Sequence, residues 1–184
     1  MKRAIFPLLV ALFAAALVAL GVACCSFDQN AITVVSGPDF GQFETYTSVD
    51  GAAVVGVEAV LERRCGSLDC HGQMGRSLRI FGHYGLRLIS QDASNVPGVQ
   101  PTTPTEIVAN YQSVLGVQPE LMTAVVQQNA PPTSLLLLRK PLLLERHKGG
   151  AVFVQGDNAY NCIVSWLAGN TVFQACALAA APNP

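Results

Sequence analysis

Histidine is scarce in this chain, with three in 184 residues. Imidazole is the side chain that titrates near neutral pH, so His71, His83 and His147 are all the material for roles that need it. The common enzyme frameworks are missing too. No G-x-G-x-x-G or phosphate loop occurs, which removes the familiar nucleotide-binding designs. The stretch "TVVSGPDFG" (33–41) holds serine and glycine without forming a nucleophile elbow. No basic cluster exceeds two residues, so nothing supplies the footprint that nucleic acid requires. Internal repeats and low-complexity segments are absent.

What is present begins with an export signal. Lys2 and Arg3 precede a run from Ala4 to Ala23 without a single charge. The run exceeds the ~7–15 residues of an ordinary signal-peptide core, so an uncleaved membrane anchor stays beside a signal peptide over 1–24. "GVAC" ends in small residues before Cys24 and resembles the lipobox of bacterial lipoproteins, with Gly21 where leucine is preferred. Lipidation is therefore expected at Cys24, with Cys25 as the alternative. Location follows: the bacterial cell envelope, facing the periplasm and held to a membrane by lipid. Cleavage leaves nine basic and twelve acidic residues, a net of −3, and removes most of the hydropathy.

Six cysteines fall into three pairs. In an oxidising compartment free thiols rarely persist, so the pairs beyond the leader need a covalent or metal explanation. Cys162 and Cys176 have no histidine beside them and are expected to form a disulfide pinning the C-terminal tail to the last helix.

Residues 25–53 are polar, broken by glycine and proline, and lack a helical period, which predicts a tether or irregular strap ahead of a domain over 54–184. In "VVGVEAVLERR" (54–64), Val57, Val60 and Leu61 fall at i, i+3, i+4. That spacing predicts an amphipathic helix running into Cys65, with Glu62, Arg63 and Arg64 on a solvated face. In "RSLRIFGHYGLRL" (76–88) two alternating pieces flank Gly82 and Gly85 and predict a small β-hairpin or an extended excursion. "TPTE" (103–106) predicts a helix start with Thr103 as cap, Pro104 first and Glu106 closing a capping box. A second short helix is expected from near Pro119 to near Asn129. "GDNAYNCIVSWLAG" (156–169) predicts a helix capped by Asp157 and stopped by Gly169, with Tyr160 and Trp166 as core aromatics. The fold class is mainly α, a small helical domain with irregular connections and at most one short hairpin.

The chemistry concentrates in "CGSLDCHG" (65–72). Two cysteines with histidine fused to the second is the pattern of covalent heme attachment, although the usual spacing is C-x-x-C-H and here four residues intervene. Attachment needs two thiols that each reach one vinyl edge of the porphyrin and an imidazole over the iron. The Cys70–His71 junction provides the latter, because the anchored sulfur fixes the backbone next to the ligand. Gly66 gives the longer arc its conformational freedom. A local Cys65–Cys70 disulfide and a zinc site of Cys65, Cys70, His71 and His147 stand as alternatives.

Beyond that motif lie "KPL" (140–142), "HKGGAVF" (147–153) and "YNCIVSWLAG" (160–169). Together over about residues 54–169 these resemble the cytochrome c superfamily, and more closely Planctomycete-type cytochrome c domains and related bacterial lipoproteins. The resemblance implies a cytochrome c fold and one covalently bound heme c, with Cys65 and Cys70 as thioether anchors and His71 as proximal iron ligand. It implies His147 as the distal ligand, ahead of the final helix, with Met122 as rival. Met74 lies too near His71 to reach the other face, and His83 is expected to cap a surface turn. Two histidines give a lower potential than histidine plus methionine.

The function implied is an electron carrier rather than an enzyme, exchanging single electrons with other redox proteins of the envelope. A peroxidase or sensor role requires an open sixth position. The reading from another class is a non-heme structural or binding lipoprotein stabilised by two disulfides.

Overall fold

Capping side chains set the helix boundaries in this protein. A computed structural model describes residues 36–88 and 98–181; the segment expected as a leader, with Cys24 and Cys25, lies outside them. Helix α1 (Phe40–Phe43) starts at Asp39, whose carboxylate accepts from Gly41 N. Helix α2 (Val57–Cys65) ends on Cys65. Helix α3 (Pro104–Val117) opens with the predicted capping box: Thr103 Oγ1 accepts from Glu106 N while the Glu106 carboxylate accepts from Thr103 N. Helix α4 (Pro119–Val126) follows at once. It stops short of Asn129 because Gln128 adopts a φ of 61°, which no helix can continue.

A 3-10 turn (Pro132–Ser134) and the short helix α5 (Leu136–Arg139) come next. Helix α6 (Asn158–Leu167) is capped by Asp157, which accepts from Tyr160 N at 2.8 Å, and is followed by Gly169 at φ 77°. The tail forms a further helix, α7 (Phe173–Ala180), which the sequence reading did not anticipate. Helices α6 and α7 pack together, with α2 against both. A disulfide joins Cys162 of α6 to Cys176 of α7, both fully buried. The class is mainly α, as expected. Among the described residues no helix is long and apolar enough to cross a membrane.

One two-stranded antiparallel sheet exists among the described residues, β1 (Tyr46–Thr47) with β2 (Ala53–Val54) in the register Tyr46 to Val54. It lies in the segment expected as a strap. Of the two alternatives at 76–88 the chain takes the extended excursion, and its backbone groups find partners elsewhere. Ile80 N donates to His71 O, Leu86 N to Gly72 O, Arg79 N to Ser113 Oγ, and Asn110 clamps Phe81 with both amide atoms. Side chains of α3 and the motif loop thus replace the missing strand partner, which satisfies the backbone as buried chain requires.

Trp166 is fully buried, tilted against Phe43 with centroids 5.3 Å apart, and Tyr111 meets both rings edge-on. Its Nε1–H donates to Asp39 O, and Tyr111 OH donates to Pro38 O. Residues 36–43 of the strap therefore pack onto the core, whereas most of 44–53 is exposed.

The solvated face expected for Glu62, Arg63 and Arg64 is corrected by their partners. Glu62 is buried and accepts from His83 N, Arg63 lies over the Tyr84 ring, and Arg64 Nε donates to Ala179 O. The charges face α7 and the excursion because those elements supply what water otherwise would.

Candidate functional site

The arc from Cys65 to His71 closes on itself. His71 N donates to Cys65 O at 2.9 Å, and inside the arc Cys70 N and Gly72 N both donate to Ser67 O. The extra residues of the gap are taken up as a turn, so the histidine returns to the foot of α2. Gly72 is needed there because a Cβ would stand 2.0 Å from Gly66 O and 2.6 Å from Gly85 Cα. No side chain fits between three backbone segments so close together.

The excursion then fixes the imidazole. His71 Nδ1 lies 2.8 Å from Leu78 O, and since a carbonyl only accepts, Nδ1 carries the hydrogen and Nε2 keeps a free lone pair. Burial lowers the His71 pKa, opposed by the hydrogen bond to Leu78 and reinforced by the charges of His147 and Arg76. His147 has the same arrangement: its Nδ1 lies 2.9 Å from Gly150 O. Both rings thus present Nε2 with Nδ1 tied to a backbone oxygen, the support that metal-binding histidines commonly have.

The two rings face each other across a cleft, with centroids 6.2 Å apart and planes 17° from parallel. Imidazole nitrogens bind metal at about 2.0–2.1 Å, which puts the centres of two rings sharing one ion about 6 Å apart. The centroid separation matches that length. The cleft measures about 660 Å³, within the roughly 300–1,000 Å³ typical of cofactor sites. Leu61, Leu78, Val114, Met122, Leu135 and Phe153 supply apolar wall, while Arg76, Lys140, Arg146 and Lys148 supply cations.

Cys65 and Cys70 line the same cleft as unbridged thiols. Burial pushes the Cys65 thiol up to about 12, so it is uncharged at neutral pH. Among the described residues no group of three or more His, Cys, Asp or Glu side chains gathers to hold an ion. The tetrahedral Cys2His2 alternative is therefore not assembled among the described residues.

Met122, on α4, is buried in the wall of this cleft. Met74 is exposed, and neither it nor His83 lines the cleft. His83 instead places Nδ1 3.1 Å from Gln100 O and packs edge-on against Tyr84. Sequence reasoning did not find the carbonyls of Leu78 and Gly150, because backbone oxygens leave no residue-type signal. Nor did it assign roles to Arg76, Arg146 and Lys148, although "GR" and "RHK" flank the two histidines.

No family model, curated protein or solved structure matches this chain.

Proposed function

We propose that the chain is a monoheme c-type cytochrome of the bacterial envelope, carrying electrons one at a time between redox partners. The carrying observation is the pair of facing imidazoles, each with Nδ1 tied to a carbonyl, beside two unbridged thiols in one cleft. Cys65 and Cys70 would hold heme c by thioethers, His71 and His147 would offer Nε2 to the iron, and Arg76, Arg146 and Lys148 would meet its carboxylates. Held by His71 and His147, the heme would supply one-electron chemistry, at a lower potential than with a thioether ligand. The chain's own part is orientation and exclusion of water: Leu78 O and Gly150 O hold the rings, and the apolar walls lower the local dielectric. Export and a lipid on Cys24, or alternatively Cys25, place the domain in the periplasm at a membrane.

The test is expression in a host with the covalent heme-attachment machinery, followed by a denaturing gel stained for heme peroxidase activity. A stained band at the mature mass is expected. Exported, soluble protein that never stains refutes the reading and favours a non-heme binding lipoprotein, for which the Cys162–Cys176 bridge and the apolar cleft speak. In the stained protein, His147→Ala is expected to lose the six-coordinate low-spin spectrum while Met122→Ala keeps it. The reverse result would move the distal role to Met122.

A further inference from the structure

The segment His147–Gly150 folds back on itself. Gly150 N donates to His147 O at 3.2 Å, and the His147 Nδ1–H donates to Gly150 O at 2.9 Å. Gly150 makes this turn at a φ of 71°. Between them Gly149 presents only hydrogen to the ring: a Cβ built there would stand 3.1 Å from His147 Cε1, 3.6 Å from Nδ1 and 3.7 Å from Nε2. Those three atoms form one edge of the imidazole, joining the nitrogen tied to Gly150 to the nitrogen left free. Ordinary contact between carbons is about 3.5–4.0 Å, so a methyl at 149 must displace that edge by a few tenths of an ångström. Metal–nitrogen distances tolerate about ±0.2 Å, which is smaller than the displacement.

We propose that Gly149 is a positioning residue whose missing side chain sets where Nε2 of His147 stands opposite His71. This rests on the assignment of His147 as distal ligand. The position isolates the effect well. Gly149 lies outside the left-handed region, so alanine carries no backbone penalty there, unlike at Gly150. It is exposed, and the three atoms nearest a Cβ all belong to His147, so little besides the ring can respond.

The experiment uses the heme-loaded full chain, comparing wild type, Gly149→Ala, His147→Ala and the double variant. The readouts are the ferric spin state and the rate at which the ferrous protein takes up carbon monoxide. Gly149→Ala is expected to stain for heme and unfold near the wild-type temperature. It should nevertheless show a high-spin fraction, reversed by added imidazole, and carbon monoxide uptake about 10–100-fold faster, the range for loss of a ligand's supporting contact. In the His147→Ala background the same substitution should change neither readout, because its action passes through the ring. A Gly149→Ala protein with wild-type spectrum and uptake overturns the inference, as does an equal further effect in the His147→Ala background. If Gly149→Ala alone yields no folded protein, recovery of the double variant supports the clash with His147, and its failure overturns the proposal. A wild type that does not stain, or a His147→Ala variant that stays low-spin, refutes the underlying reading instead.

Discussion

Removing Arg87 should unfold much of what holds His71 in place. Arg87 and Glu106 form a buried bidentate pair, with Nε donating to Oε1 at 2.8 Å and Nη2 to Oε2 at 2.6 Å, and both side chains 1 % exposed. Arg87 also donates to Gln100 O and Pro101 O, while Glu106 accepts from Leu88 N and Thr103 N. The pair thus rivets the end of the excursion to the start of α3. Arg87→Met leaves a carboxylate buried without its partner, a loss of about 3–5 kcal/mol. Against a whole-domain stability of roughly 5–15 kcal/mol that is a large share. With a urea dependence of about 2 kcal/mol per molar, the midpoint should fall by roughly 1.5–2.5 M in circular dichroism. Replacing both partners, Arg87→Met with Glu106→Leu, should recover most of the loss, since it leaves no orphaned charge.

The pH profile gives a second handle on the same pair. Although burial alone would raise it, hydrogen bonds from Arg87, Thr103 and Leu88 and the Arg87 charge bring the Glu106 carboxyl down to about 2 from 4.5. A lowered folded pKa means stability that is complete above 4.5 and lost as pH falls through about 2. Glu106→Gln should flatten the acid limb in that window. An Arg87→Met loss below about 1 kcal/mol, or a double variant whose loss equals the sum of the singles, would refute the reasoning.

Three further outcomes are expected. Burial, with Glu62 adding to it, raises the Glu58 carboxyl to about 9, and its Oε1 has no hydrogen-bond partner. Stability should therefore be complete below 4.5 and weaken by up to about 1.4 kcal/mol per pH unit toward 9; Glu58→Gln should remove that slope in urea titrations across the range, and an unchanged slope would count against the buried proton. Reducing the Cys162–Cys176 bridge, or replacing both by serine, opens a loop with a sequence separation of 14 and should cost about 3 kcal/mol by chemical denaturation. Gly72→Ala drives a Cβ into backbone on two sides and should cost at least about 3 kcal/mol or prevent folding, with yield and thermal unfolding as the measures; a variant as stable as wild type would show that the three segments can part.

Legibility in the sequence followed the range of the interaction. The capping box at Thr103 and Glu106, the Asp157 cap and the stop at Gly169 are local chemistry, and each stands where the residues place it. The facing of His71 and His147 depends on partners 76 residues apart, which spacing alone does not encode. The alternation at 76–88 leaves a hairpin and an extended excursion both open, because the choice depends on Asn110, Ser113 and the motif loop, which lie elsewhere in the chain. Glu62 misled for a related reason: a charge on a short helix looks solvated until His83 N is brought to it from another element. Helix α7 was missed because "FQACALAA" is too short and too evenly apolar to show a period.

The two histidines are held by structures of different reach, and this divides their vulnerabilities. The carbonyl that orients His71 belongs to Leu78, on an excursion fixed by Asn110 of α3 and by the Arg87–Glu106 pair. The carbonyl that orients His147 belongs to its own turn, three residues on. A substitution that loosens the excursion, such as Arg87→Met, should therefore free the His71 ring while leaving the His147 turn closed. Gly149→Ala should do the opposite, disturbing the His147 ring without changing global stability. Imidazole hydrogen exchange and tautomer signals for the two rings should then respond separately to the two variants. Equal loss at both rings in Arg87→Met would show that the His147 turn draws its order from the rest of the fold rather than from its own hydrogen bonds.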